Sequence, residues 1–324
     1  MIDFILSLVA STYFFNILVM LASLFIIVKA ADLLVDGIAD YARILGLSDY
    51  IIGFVVVAMA ASMPEVIASL MGFAAEEVGV MFGSILGTNM VHMALVIGVL
   101  VLVGGKKLDI ECPLLEKRKI LIWVMLMLPL LLLFDSKLSR FDGVILVAAF
   151  VFYIVMLWRV EGTFGKIKKD VKLKNIWKDA FIFIGALAAM ILAGRYLVFS
   201  SILVANNLGI PPYFIALTVI GVGSALPDFL VGFKSVLKGH TGIGVGDVLG
   251  STMIELVLYF GIVAIIAPIT IPVSAIWPSL LFLAISITIM MFLLQKKILT
   301  MKYGLLLVGI YLAFILVEIA RLFF

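Results

Sequence analysis

Residues 58–65 read AMAASMPE and residues 221–228 read GVGSALPD, each inside an otherwise apolar stretch. In both, a proline stands one residue before a carboxylate. Proline brings no backbone N–H and clashes with the preceding turn, so it interrupts a helix and frees carbonyls beside the acid. The two stretches lie 163 residues apart, and at that offset the chain aligns with itself without a gap from Gly46 to Gly98. Gly46 meets Gly209, Tyr50 meets Tyr213, Pro64 meets Pro227, Gly79 meets Gly242, Gly83 meets Gly246, Gly87 meets Gly250 and Gly98 meets Gly261. Glycine and proline mark special backbone geometry, so their coincidence at one offset reads as an internal duplication.

Working outward, apolar runs of membrane-spanning length fill the chain. It has 324 residues, 65% hydrophobic and 13% charged, with a mean hydropathy of +1.33. A soluble domain carries about twice that charged fraction. Ten candidate spans follow: 13–41, 49–74, 79–104, 119–134, 141–158, 179–204, 212–237, 242–267, 274–295 and 302–321. The expected fold is an all-α integral membrane protein of about ten transmembrane helices in two inverted five-helix repeats. Five spans per unit is odd, so the second copy enters the membrane upside down. The expected units are residues 1–160, a basic linker 161–178, and residues 179–324.

Charge placement orients the spans. Eighteen Lys and Arg fall on one side, including the seven from Arg159 to Lys178, against Lys137, Arg140 and Arg321 on the other. The positive-inside rule makes the rich side cytoplasmic and both termini extracellular, in the plasma membrane. The run Lys166–Lys178 reads as an orienting linker, with anionic lipid as the other reading. The lone Cys112 excludes a disulfide framework, and Asp3 in place of a basic n-region argues against a cleaved signal. Membrane lipid and transported cations are the expected partners. Nothing points to nucleic acid, an obligate protein partner or a cofactor.

The chemistry sits in the aligned segments. Glu65 follows Pro64 and Asp228 follows Pro227; beyond them come GSILGTNMVH (83–92) and GDVLGSTMIE (246–255). The Gly-xxx-Gly spacing lets helix backbones approach closely. Thr88 and His92 share a face at i and i+4, as do Ser251 and Glu255, and can point at the carboxylates. Carboxylates, hydroxyls and freed carbonyls are hard oxygen ligands suited to Ca²⁺ and Na⁺. An acid at membrane depth is expensive, so Glu65, Asp228 and Glu255 read as functional. His92 reads either as a hydrogen-bonded seam residue or as part of the site. Asp247 is offset from the ligand face and falls toward the cytoplasmic helix end. Asp32, Asp36 and Arg195 are assigned no single role.

The paired AASMPEV and GSALPDF, followed by GSILGTNM and GDVLGSTM, resemble the two alpha repeats of sodium/calcium exchangers, members of the cation/Ca²⁺ antiporter superfamily. The resemblance implies a central site for one Ca²⁺ or several Na⁺, with the first and sixth helices sliding past a fixed bundle. By motif position it implies Glu65 and Asp228 as principal acids and Ser62, Ser224, Thr88 and Ser251 as hydroxyl ligands. It also implies backbone carbonyls near Ala58, Ala61, Gly221 and Ser224. The chain departs from the pattern in three ways. One hydroxyl is missing from each Thr-Ser pair, Asp228 replaces Glu, and His92 and Glu255 stand where Asn or Asp is usual. A secondary antiporter exchanging Ca²⁺ for Na⁺ is the expected function, with H⁺ coupling as the alternative, since histidine titrates near neutral pH.

Two other classes compete. Residues 244–247 spell the GxGD string of intramembrane aspartyl proteases, yet the chain contains no Tyr-Asp pair to supply the second aspartate, and the duplication explains Gly246. An acid-lined cation channel would show passive flux instead of exchange. No phosphate-binding loop or catalytic triad is visible, which argues against an ATP-driven pump or an enzyme.

Overall fold

The computed structural model describes residues 12–44, 62–104, 108–109, 113–161, 176–237, 241–294 and 298–323. Helices dominate. The first half holds α1 (Thr12–Ile44), α2 (Met63–Ala74), α3 (Val78–Met90), α4 (Ile97–Val103), α5 (Pro113–Leu132) and α6 (Arg140–Glu161). The second holds α7 (Ile176–Leu208), α8 (Pro212–Ile215), α9 (Gly221–Ser224), α10 (Leu226–Leu237), α11 (Thr241–Met253), α12 (Phe260–Ile266), α13 (Val273–Leu294) and α14 (Met301–Phe323). Among the described residues, six helices are long and apolar enough to cross a membrane: 78–103, 184–208, 212–230, 245–266, 273–293 and 301–323.

The 163-residue sequence offset reappears in the backbone. A π-helical turn, Val91–Val96, joins α3 to α4, and a second, Ile254–Tyr259, joins α11 to α12 at the same offset. Helices α2 and α10 also correspond residue for residue. Two close glycine contacts exchange partners between halves. A Cβ on Gly98 would stand 3.1 Å from the Gly304 carbonyl, and one on Gly261 would stand 3.1 Å from the Gly143 carbonyl. Lipid offers no hydrophobic drive for helices to associate, so such backbone-close seams of small residues supply the packing.

Two short antiparallel pairings tie connections together. Strand β1 (Leu108–Asp109) pairs with β4 (Ile298–Leu299), and β2 (Lys137–Leu138) pairs with β3 (Ile269–Thr270). Paired strands must lie at the same end of the bundle. An even number of crossings therefore separates 109 from 298, and likewise 138 from 269.

The interior divides into two apolar clusters. The larger contains Phe82, Leu86, Met90, Phe260, Leu283 and Phe314. The smaller joins α1 to α7 through Met20, Leu24 and Ile27 against Met190, Leu197 and Val198. Both of these long helices have 33 residues. Their outer faces expose Phe25, Phe181 and Phe199, as lipid-facing helices do. Arg195 is also exposed, whereas the side chains of Asp32 and Asp36 lie outside the description.

Candidate cation-binding site

Helix α3 and the helical run 212–224 touch backbone to backbone. A Cβ on Gly83 would lie 2.4 Å from the Tyr213 carbonyl, and one on Gly87 would lie 2.2 Å from that of Leu217. Real Cβ contacts do not fall below about 3 Å, so only glycine permits this approach. Gly221 closes the seam from the other side, its Cβ position 2.8 Å from the Thr88 nitrogen. The two helices run parallel, and the seam sets a register between them. Thr88 Oγ1 is 3.0 Å from Ser224 Oγ. One turn further, His92 Nε2 is 2.9 Å from Asp228 Oδ2.

The run breaks at Ala225, between α9 and α10, just before Pro227 and Asp228. Ala225 N reaches Gly221 O at a long 3.4 Å, so this carbonyl retains capacity to accept. Thr88 donates its proton to Ser84 O at 2.9 Å. Ser224 must therefore supply the proton between the two hydroxyls, leaving its own oxygen lone pairs available.

Glu255 enters from the antiparallel side. It is the second residue of its π-turn, as His92 is of the other. Such turns are frequent at functional sites because the extra residue re-aims side chains. One ligand atom from each of His92, Asp228 and Glu255 lies within 4.8 Å of the others, and all three residues are buried. Ligands facing each other across a Ca²⁺ ion stand about 4.8 Å apart, at roughly 2.4 Å per bond. The dimensions fit.

The hydrogen bonding points the same way. Among the described residues, both oxygens of Asp228, Asn89 Oδ1 and Ser251 Oγ are buried without a hydrogen-bond donor. The His92–Asp228 approach is within ion-pair range but lacks the alignment of a hydrogen bond. Buried acceptors without donors are costly, and several oxygens in this condition call for a cation.

Of the residues expected from sequence, Thr88, Ser224, His92, Asp228, Glu255 and Gly221 meet here. Ser62 is buried at the start of α2. Glu65 lies in α2, with its side chain outside the description; Ala58 and Ala61 fall outside the described residues. Ser251 is buried but has no hydroxyl partner there, whereas its repeat-mate Thr88 has Ser224. The sequence supplies a reason, since the offset matches Ser224 to Ala61, which carries no hydroxyl.

Sequence reasoning passed over Asn89. Its amide donates 2.9 Å to Glu255 Oε2 and 2.7 Å to Ile85 O, and its own oxygen is buried without a donor among the described residues. The signal was available in GTNM, a polar amide beside Thr88 in an apolar run. Asp247 is likewise better buried than its place off the ligand face suggested, at 3% exposure.

Buried ionisable and oxygen-rich side chains on interrupted membrane helices are the marks of ion pathways. The chain belongs to the sodium/calcium exchanger protein family, whose model matches residues 15–159 and 178–320. It is similar to the sodium/calcium exchanger MaX1 of Methanosarcina acetivorans, 24% identical over 93% of this chain and 98% of that protein. It is also similar to the inner membrane protein YrbG of Escherichia coli, 28% identical over 77% of this chain and 79% of that protein. Among solved structures, the H⁺/Ca²⁺ exchanger CAX superposes with a TM-score of 0.76 at 13% identity, covering 98% of this chain and 91% of that one. The sodium-calcium exchanger NCX_Mj, soaked with 2.5 mM Na⁺ and 1 mM Sr²⁺, superposes with a TM-score of 0.67 at 18% identity, covering 92% and 96%. These likenesses establish a shared fold.

Proposed function

We propose that this protein is a secondary antiporter that exchanges Ca²⁺ for Na⁺ by alternating access at the buried cluster. The observation that carries the proposal is the convergence of His92, Asp228 and Glu255 within 4.8 Å beside donorless oxygens. Carboxylate, amide, hydroxyl and carbonyl oxygens suit hard cations, and two acids balance a divalent charge. A nitrogen ligand suits Ca²⁺ poorly, so His92 acts here as the partner of Asp228. Glu65, the repeat-mate of Asp228, is the further acid, with Ser62, Ser251 and the carbonyls of Ala58, Ala61 and Gly221 as additional oxygen ligands.

Ten spans in two inverted units is the architecture behind this mechanism. The even crossing parity imposed by both strand pairs and the recurrence of the α–π–α pattern at 163 residues support it. The packing of α1 on α7 through Leu24, Ile27, Met190 and Leu197 supports their sliding as a pair, and their contact with Ile67, Val80 and Ile215 marks the face that slides past the bundle. Both termini then face outside the plasma membrane. A membrane-impermeant thiol reagent should label a cysteine added beyond Phe324 in intact cells, in a Cys112→Ser background. Labelling near Lys168 instead inverts the topology.

One observation favours H⁺ as the coupling ion. His92 contacts Asp228 directly, and a histidine there can hold a proton when Ca²⁺ leaves. Purified protein in liposomes separates the readings, with Ca²⁺ uptake driven in turn by a Na⁺ gradient and by a pH gradient. Na⁺-driven uptake supports the first reading; uptake driven only by pH replaces it with the second. Passive flux with neither dependence makes the protein a channel.

A further inference from the structure

The two halves differ at a buried polar position outside the cluster. Ser84 of α3 and Asp247 of α11 correspond at the 163-residue offset. Ser84 is satisfied locally, with its hydroxyl 2.7 Å from Ser69 Oγ and 3.0 Å from Met81 O. The counterpart of Ser69 is Gly232, which has no side chain to offer Asp247. Leu100 packs over that glycine instead, 2.8 Å from its Cβ position. Both oxygens of Asp247 therefore have no donor among the described residues, although the side chain is buried. One turn onward on the same face, the buried Ser251 Oγ is in the same condition.

Asp247 is close enough to Asp228 to interact with its charge. It lies eight residues before Glu255, about 12 Å along the helix, and roughly 9 Å from the helix start at Thr241. That start shares the bundle end with the close of α10, because only three residues join them. An acid with no donor among the described residues thus stands between the central cluster and one end of the bundle. The matching place in the other half holds a serine whose hydrogen bonds are made. Ser84 carries no charge; Asp247 offers a buried carboxylate that a cation can satisfy.

We propose that Asp247, one turn before the central ligand Ser251, forms a one-sided holding position for the transported cation, on the route between the central cluster and the bundle end at which α11 begins. The proposal rests on the exchange reading given above. Its consequence is asymmetry: cations entering from that end meet an extra carboxylate, and cations entering from the other end do not.

The test compares wild type with Asp247→Ser, which installs the residue of the other half, and with the isosteric Asp247→Asn. Each is reconstituted in liposomes of known orientation, and the half-saturating Ca²⁺ concentration is measured separately from the two faces. Equilibrium Ca²⁺ titration of the detergent-purified proteins accompanies it. Both variants should raise the half-saturating concentration several-fold on the α11-start face and leave the opposite face unchanged. Unchanged values on both faces, or an equal rise on both, overturn the holding position while exchange itself stands. If Asp247→Ser elutes as aggregate, Asp247→Asn carries the comparison. A wild-type protein that neither binds nor exchanges Ca²⁺ overturns the exchange reading and this inference together.

Discussion

The helical segments 78–103 and 241–266 share a backbone and differ in charge. Both run α-helix, π-turn, α-helix, with every boundary displaced by 163 residues. On that common frame the first carries Ser84, Asn89 and His92, and the second carries Asp247, Thr252 and Glu255. The first segment therefore supplies donors and a base, and the second supplies acids. Duplication fixes where side chains point; later divergence decides what they bind. A symmetric frame with asymmetric charge is what an alternating-access carrier of a dehydrated cation can use.

The comparison breaks most severely at Asp228. Asp228→Asn keeps the shape but removes a charge that balances the divalent ion and faces His92. Gradient-driven Ca²⁺ uptake should fall to the level of empty liposomes, and Glu65→Gln should do the same if the repeat pairs the two acids in function. Near wild-type uptake by Asp228→Asn removes it from the site.

A smaller but more informative effect is expected at His92. His92→Asn replaces the base by an amide able to hydrogen-bond Asp228. If Na⁺ is the coupling ion, Na⁺-driven uptake persists at a reduced rate, and its pH profile flattens. Loss of pH-driven uptake with no Na⁺-driven component assigns coupling to the proton.

The glycine seam tests the frame itself. Gly87→Ala places a methyl 2.2 Å from the Leu217 carbonyl, so two backbones must separate. Overpacking of this kind costs about 1–3 kcal/mol. It should lower the detergent melting temperature and weaken transport, because Thr88 and Ser224 are held in register by the same seam. Gly309→Ala meets no atom within 4 Å and should leave the melting temperature unchanged.

The mildest effect expected is at Asn89. Asn89→Ala removes the 2.9 Å amide bond to Glu255, a loss of about 1–3 kcal/mol for a buried acceptor left without that donor. Stability should fall modestly, with a raised half-saturating Ca²⁺ concentration. No change in either measurement reduces Asn89 to a packing residue.

Much of this was legible in the sequence, for identifiable reasons. The repeated glycines and prolines encode backbone geometry directly, so a close backbone approach at Gly83 and Gly87 and the break before Asp228 follow from them. Thr88 and His92 were expected to share a face, and Ser224 and Asp228 meet them at the same one-turn spacing. What pattern could not give was pairing across helices. Asn89 belongs to the site only because an antiparallel helix brings Glu255 to its amide. Asp247 looked offset on its own helix, yet its neighbourhood with Asp228 depends on how α10 and α11 pack. The π-turns were also invisible, because no residue type demands an i→i+5 bond, and they aim both His92 and Glu255.

The central claim is that the cluster of His92, Asp228 and Glu255 binds and exchanges Ca²⁺. Its most direct measurement is radioactive Ca²⁺ uptake into proteoliposomes, wild type beside Asp228→Asn, driven by an outward Na⁺ gradient. Accumulation in the wild type should depend on the gradient, collapse when Na⁺ is equal on both sides and disappear in the variant. Accumulation that survives in Asp228→Asn, or wild-type flux indifferent to any cation gradient, would contradict it.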